Sequence, residues 1–370
     1  MNILFPTGSF YPAQEGGPSN SIYWVAHEIV KQGGYSVTVV TTNVLLDASV
    51  QADTWLEVDG IRTIYTSTSK SRFDWRVMYI SLKEMRRANV VHLNSLYYRP
   101  SFVLALVGLL LGKRIIWSVR GELSDAACSS ALKKSYIKVI RLLFGQRVTF
   151  HATSLLELCD VKSKLTPKTD VILLPNYMIL PAECDDANSY HGDLLYLGRL
   201  VPIKSLDKLI RALALSKEFL TSTRKIIFAG VGEPAYVRFL KQLAEELAVC
   251  HKIEFVGLIE GEDKERLYAG SFCSLLVSES ENSGNVVIES LAQGTPAITS
   301  LGTPWQVLEE KRIGRHVKND PEQIAQAIGG LMAISEDQYY LMRCRCKRFC
   351  RQEYDIASNV DRWTYEYSKS

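Results

Sequence analysis

Two carboxylates separated by seven residues stand in the run Ser278-Glu279-Ser280-Glu281-Asn282-Ser283-Gly284-Asn285-Val286-Val287-Ile288-Glu289. The pattern predicts a buried strand over Cys273–Val277, a polar loop, and a helix from about Gly284 to Gln293, closed by Gly294. Gly284 lets a ligand approach the backbone closely, and the N–H groups of Gly284, Asn285 and Val286 point out of the helix start. Such a start suits phosphate or diphosphate. Glu281 precedes the helix and Glu289 lies inside it, so the two carboxylates reach different parts of one bound molecule. The structural alternative is a solvated loop glutamate followed by a helix glutamate favoured by the dipole.

A second group is Leu197-Gly198-Arg199-Leu200-Val201-Pro202-Ile203-Lys204-Ser205. It predicts a strand ending at Gly198, with Arg199 and Lys204 on the strand-to-helix loop and Ser205 as N-cap. Two cations at the carboxyl end of a parallel strand fit a diphosphate, and ordinary surface charge is the alternative. A third, weaker group is Gly16-Gly17-Pro18-Ser19, where glycines permit close approach to phosphate and Ser19 could cap the next helix. A loop turn explains it equally well. His92 and Asn94, two apart at a strand end, share one face and could line a binding surface, although packing in the core accounts for His92 alone. His151 has no chemistry assigned.

The elements that hold these groups alternate as βαβ units. Strands are expected at Asn2–Phe5, Val37–Thr41, Ile61–Tyr65, Val90–Asn94, Ile115–Val119, Val148–Thr153 and Val171–Leu174, with helices such as Ser19–Gln32 and Ser130–Phe144 between them. Prolines, Asp185-Asp186 and Asn188 break the rhythm between Pro175 and Gly192, as a linker would. Strands then resume at Asp193–Leu197, Lys225–Ala229, Ile253–Val256, Cys273–Val277 and Pro296–Ser300. This is an α/β chain of two Rossmann-like domains facing across a ligand cleft, at residues 1–178 and 179–350, with a C-terminal helix in 351–370 packing back on the first domain.

Length and composition are compatible with that reading. The 370 residues are 47% hydrophobic and 22% charged, close to the globular average, which excludes a disordered, collagenous or coiled-coil chain. The net charge of +3 gives no reason to expect nucleic acid. The charge is unevenly spread: residues 1–180 hold 20 Lys/Arg against 13 Asp/Glu, and residues 181–370 hold 23 against 27. The first half is therefore the one to meet an anionic surface. Eight cysteines without a CxxC pair suggest reduced thiols rather than a disulfide scaffold or a metal site. The longest apolar run, Phe102 to Leu111, has ten residues, against about 18–20 for a membrane span. No secretory leader is read at the N-terminus, so the expected location is cytoplasmic, with peripheral contact to a membrane's inner face.

In this order and at these positions, the three groups resemble the retaining family-4 glycosyltransferases of GT-B fold, bacterial surface-polysaccharide type. The resemblance runs from the glycine loop near Gly17 to Gly294-Thr295-Pro296, and its most specific part is the Glu281/Glu289 element with Gly198-Arg199 and Lys204 upstream. It implies that Arg199 and Lys204 bind the donor diphosphate, that Glu289 binds the nucleotide ribose, and that Glu281 contacts the donor sugar as a catalytic group. Gly284, Asn285 and Val286, with Gly17, would complete the phosphate site. Many family members carry a histidine beside the donor sugar where this chain reads Ser118-Val119-Arg120-Gly121-Glu122. Arg120 then takes that catalytic place or binds phosphate or acceptor, and His92 and Asn94 fall on the acceptor side.

The implied donor is a UDP- or GDP-sugar, and the acceptor a glycan or lipid-linked molecule. Cationic side chains that neutralise the diphosphate remove the need for a divalent metal, and no Asp-x-Asp stands at a strand end. Competing readings are a GT-B sugar-nucleotide epimerase and an inactive glycosyltransferase-like binding subunit. A dinucleotide-dependent oxidoreductase is suggested by Gly230-Val231-Gly232-Glu233-Pro234-Ala235, although Pro234 disturbs the turn. Lys134, Lys138 and Arg141 recur along the helix expected at 130–144, and they offer a basic edge to anionic lipid or simply to solvent.

Overall fold

The structure is a computed structural model and describes residues 1–13, 17–47, 50–67, 73–125, 127–185 and 188–369. The chain forms two compact units, Met1–Ile179 with Asp355–Ser370, and Leu180–Tyr354. Unit 1 contains β1 (Asn2–Pro6), α1 (Gly17–Gln32), β2 (Ser36–Thr42), β3 (Trp55–Val58), β4 (Ile61–Thr66), α2 (Trp75–Met85) and β5 (Val90–Asn94). It continues through α3 (Arg99–Leu110), β6 (Arg114–Ser118), α4 (Ala131–Phe144), β7 (Thr149–Ala152), α5 (Leu155–Lys164) and β8 (Val171–Leu173). Unit 2 begins with β9 (Leu194–Leu197), α6 (Leu206–Leu215), α7 (Lys217–Thr221), β10 (Ile226–Ala229), α8 (Pro234–Glu246), β11 (Ile253–Gly257) and α9 (Gly261–Gly270). It ends with β12 (Cys273–Leu276), α10 (Asn285–Ala292), β13 (Ala297–Ser300), α11 (Val307–Glu310), β14 (Gly314–Val317), α12 (Pro321–Met332) and α13 (Glu336–Glu353). The last helix, α14 (Ile356–Ser368), returns to unit 1.

The unit 1 sheet has the order β3-β4-β2-β1-β5-β6-β7-β8, parallel throughout except for the antiparallel β3–β4 edge. Strands covered on both faces read as continuous apolar runs, and alternate residues feed separate cores. Leu4 joins Val77, Met85, Leu104, Ile140 and Phe144 under α2 to α4. Ile3 and Phe5 join Ile22, Ala26 and Ile29 of α1 with Ile356, Val360, Trp363 and Tyr367 of α14. The unit 2 sheet is entirely parallel, in the order β11-β10-β9-β12-β13-β14. Both units are Rossmann-like α/β sheets.

Two strands escape the sequence pattern. β3 is a half-buried edge, and β14 reads Gly-Arg-His-Val, so neither presents a buried apolar run. Two expected caps are also corrected. Ser19 lies inside the first turn of α1, and its hydroxyl meets Ser9 Oγ at 2.7 Å. Ser205 does occupy the N-cap position of α6, but in a left-handed conformation (φ 53°), and its hydroxyl donates to Glu279 at 3.2 Å instead of capping the helix.

Candidate functional site

In unit 2 the chain leaves β9 to build β10 and β11 on one side, then crosses back to β12 beside β9 and builds outward the other way. The loops following β9 and β12 therefore part at a topological switch point, where open α/β sheets bind ligands. Backbone bonds tie these loops together. Glu279 N–H donates to Ile203 O at 2.8 Å, and Glu281 N–H donates to Gly302 O at 2.8 Å. The loops after β9, β12 and β13 are thus fixed as one surface.

Gly284 ends the middle loop at φ 70° and ψ 56°, in the N-cap position of α10. A Cβ there would lie 2.9 Å from both Leu276 Cδ2 and Trp305 Nε1, so sterics as well as backbone conformation select glycine. Trp305 is buried and donates its indole N–H to Ser283 O at 2.8 Å, which pins the approach to the helix. Asn285 and Val286 follow in the first turn of α10, where backbone N–H groups have no preceding helical carbonyl.

The charged residues singled out from the sequence converge here. Lys204 ion-pairs with Glu281, both partly buried, and Ser278 Oγ donates to the same carboxylate at 3.5 Å. Beside them Lys208 bonds Glu279 at 2.6 Å, which holds the Glu279 carboxyl below its ordinary pKa. Arg199 is exposed, and its guanidinium has no hydrogen-bond or ion-pair partner among the described residues. Glu289, inside α10, accepts from Lys264 Nζ at 3.0 Å and from Tyr268 O–H at 3.2 Å. Burial, then the Glu289 charge, raises the Tyr268 pKa well above the ordinary range. Sequence reasoning missed Lys208, Lys264, Tyr268 and Trp305, which carry no motif and reach the site only through the fold.

The glycines of the dinucleotide-like motif have a local explanation. A Cβ on Gly230 would lie 1.9 Å from Gly198 O, and one on Gly232 would lie 2.1 Å from Leu200 O. They let the loop after β10 lie against the loop after β9, with a Leu200–Gly232 bridge.

In unit 1, Gly17 heads α1, while Gly16 lies outside the described residues. His92 and Asn94 are buried and committed inward. His92 bonds Tyr367 O–H at 2.7 Å and Ser118 Oγ at 2.8 Å, and Asn94 Oδ1 accepts from Arg120 at 2.9 Å. Burial, with His151 and Arg120 nearby, holds His92 far below the usual imidazole range, and burial followed by Arg120 pushes His151 down to about 3. Arg120 follows β6 at φ 54° and also donates to Asn176 Oδ1 at 2.9 Å. Glu157 accepts from Thr153 N–H at 2.6 Å, from its hydroxyl at 2.8 Å and from Gly121 N–H, and so fixes the loop that carries Arg120. Glu157 and Asn176 were not singled out from the sequence, although Asn176 directly follows Pro175 at the end of a strand.

Residues 188–344, which include all the unit 2 groups above, match the family described as glycosyl transferases group 1. An uncharacterized glycosyltransferase of Methanocaldococcus jannaschii is 29% identical over 142 residues, 38% of this chain and 35% of that protein. The chain thus spans about a third of the length of that curated relative. Anabaena HepE, solved with UDP and glucose, superposes over 99% of this chain and 98% of its own, with a TM-score of 0.77 at 14% identity. WaaG, a glycosyltransferase involved in lipopolysaccharide biosynthesis, covers 100% of both chains with a TM-score of 0.68 at 16% identity. The chain therefore has the fold of GT-B glycosyltransferases, and its residues 188–344 carry the match to glycosyl transferases group 1.

Proposed function

We propose that the protein is a retaining glycosyltransferase that moves a sugar from a UDP- or GDP-sugar to a glycan or lipid-linked acceptor in bacterial polysaccharide assembly. The observation that carries this reading is the Lys204–Glu281 pair at the switch point of unit 2, beside the start of α10. Breaking the anomeric C–O bond develops positive charge on the sugar and negative charge on the departing phosphate. Arg199, Lys204 and the N-terminus of α10 supply positive potential to the phosphate, and Glu281 supplies a carboxylate to the sugar. The acceptor oxygen bonds the anomeric carbon as the phosphate oxygen leaves, and that oxygen takes the acceptor proton on the same face. The configuration is retained and no protein base is consumed. Glu289 binds the ribose, exchanging Lys264 and Tyr268 for hydroxyl groups.

Support for UDP comes from HepE, solved with UDP and glucose. Calorimetric titration with UDP and GDP, followed by donor hydrolysis in excess chelator, tests the reading. Binding of either nucleotide and metal-independent turnover with retained anomeric configuration are expected. Strict dependence on a divalent ion would overturn the assignment of the diphosphate to Arg199 and Lys204.

The acceptor chemistry suggests work at the cytoplasmic face of a membrane. No helix among the described residues is long and apolar enough to cross one, and the contact in this reading is a peripheral one. Support comes from α4, which buries Ile137, Ile140 and Phe144 while exposing Leu132 and Leu142 beside Lys134, Lys138 and Arg141. Neither α3 nor α4 contains an Asp or Glu. Exposed leucines next to an uninterrupted basic edge suit shallow insertion among anionic headgroups.

A further inference from the structure

Unit 1 contains a small cavity at the carboxyl ends of β5, β6 and β7, lined in part by Ser21, His92, Arg120, His151, Asn176 and Trp363. Its polarity follows from the hydrogen bonds around it. His151 Nε2 lies 2.9 Å from Leu174 O, which only accepts, so Nε2 carries the proton and Nδ1 accepts from Ser118 O–H at 2.7 Å. With its proton spent, Ser118 Oγ accepts from His92 Nε2–H at 2.8 Å, and His92 Nδ1 accepts from Tyr367 O–H at 2.7 Å. Every lone pair on the two neutral rings is therefore used, and neither ring offers the cavity an acceptor.

Two donors remain. Trp363 is 2% exposed, and its indole N–H has no partner among the described residues. Arg120 spends three N–H groups on side-chain amide oxygens, with Nε and Nη2 on Asn94 at 3.3 and 2.9 Å and Nη1 on Asn176 at 2.9 Å. A guanidinium has five, so two have no acceptor among the described residues. Glu157, the nearby carboxylate, is occupied by Gly121 and Thr153. A buried donor without an acceptor is costly, and the free space of about 10 Å³ is on the scale of one oxygen atom.

We propose that Arg120 and Trp363 form an oxyanion pocket that receives a terminal oxygen of a phosphate or carboxylate group on the acceptor. The anion itself follows from the pocket's donors and charge, and its placement on the acceptor rests on the glycosyltransferase reading. The site joins residues far apart in sequence, because Trp363 comes from the C-terminal helix α14 and Arg120 from the loop after β6.

Indole N–H resonances of the full-length protein, with UDP added to saturate the donor loops, provide the test. Trp363→Phe assigns the Trp363 signal, and phosphate, acetate and chloride are titrated in parallel at constant ionic strength. The expected result is a saturable shift of the Trp363 signal with phosphate or acetate. Whichever anion moves it identifies the group, and chloride leaves it in place. Arg120→Gln abolishes the shift, and Arg120→Lys, which keeps charge but loses the planar fork, weakens it about tenfold. The Trp305 signal, reporting the bond to Ser283, checks that each variant is folded. A Trp363 signal unmoved by phosphate and acetate, moved equally by chloride, or unaffected by Arg120→Gln would overturn the pocket. Trp305 responds to UDP in a separate titration, so failure of the donor site is read independently of failure of this one.

Discussion

At the carboxyl end of the unit 2 sheet, charges stand in pairs at partial exposure: Lys204 with Glu281, Lys208 with Glu279, and Lys264 with Glu289. At the same end of the unit 1 sheet, the imidazoles of His92 and His151 are buried and neutral, and Asn94 and Glu157 are spent on neighbouring groups. Both ends follow the same parallel-strand topology, yet a charged ligand can displace ion pairs only in the first arrangement, whereas in the second it can only meet the donors left over on Arg120 and Trp363. A partly solvated ion pair contributes about 0–1 kcal/mol, so an anionic ligand would displace it at little cost. A buried network left half-satisfied loses far more. Topology therefore supplies two candidate edges, and the state of their charges distinguishes a partly solvated set of ion pairs from a buried hydrogen-bonded network with a small pocket.

The sharpest way to break this contrast is to remove the unit 2 carboxylates. Glu281→Ala and Glu289→Ala are each expected to abolish sugar transfer in a donor-turnover assay while leaving the thermal transition within a few degrees of the parent. Glu281→Ala also frees Lys204, so UDP should bind at least as tightly by calorimetry while kcat collapses. Near-normal turnover would remove Glu281 from the catalytic set. Next in size, Arg199→Ala or Lys204→Ala should lower kcat/KM by about 10²–10³, as expected for losing a group that stabilises developing charge.

A smaller effect is expected on the outer surface of unit 1. Each basic residue near an anionic bilayer contributes about 1 kcal/mol. Lys134→Gln with Lys138→Gln should therefore weaken co-sedimentation with anionic vesicles about thirtyfold, and salt should mimic the loss. Equal binding to neutral and anionic vesicles would contradict the electrostatic contact.

The smallest effect separates the two edges by pH. His92 and His151 have folded pKa values depressed below the unfolded 6.5. Their contribution is complete above pH 6.5 and declines as acid protonates the unfolded chain first, by up to about 1.4 kcal/mol per pH unit for each residue. Glu122 and Glu157, raised by burial, act in the opposite direction near their own range. His151→Gln should therefore flatten the fall of Tm between pH 6.5 and 5 relative to the parent. An unchanged slope would show that His151 is not buried in its neutral form.

Much of the site in unit 2 was legible in the sequence because it is built from contiguous loops. Glu281, Gly284 and Glu289 lie in one run, and Gly198 through Lys204 in another, each following a strand whose apolar residues mark it. β5 falls at Val90–Asn94, where Val90, Val91 and Leu93 mark the strand, although His92 and Asn94 are buried with them. The polar network of unit 1 could not be read in this way. His92 meets Tyr367 across 275 positions, and Arg120 meets Asn176 across 56; no local period records such pairings. The Ser205 cap failed for a related reason, since its hydroxyl is claimed by Glu279 and Asn319 from distant loops.

The central claim is that the loops after β9 and β12 hold a nucleotide-diphosphate sugar, and calorimetric titration of UDP and GDP into the parent and the Lys204→Ala variant tests it most directly. Saturable binding of at least one nucleotide by the parent in excess chelator, weakened at least tenfold in the variant, is the expected result. Absence of binding by both nucleotides, or equal affinity in parent and variant, would contradict it.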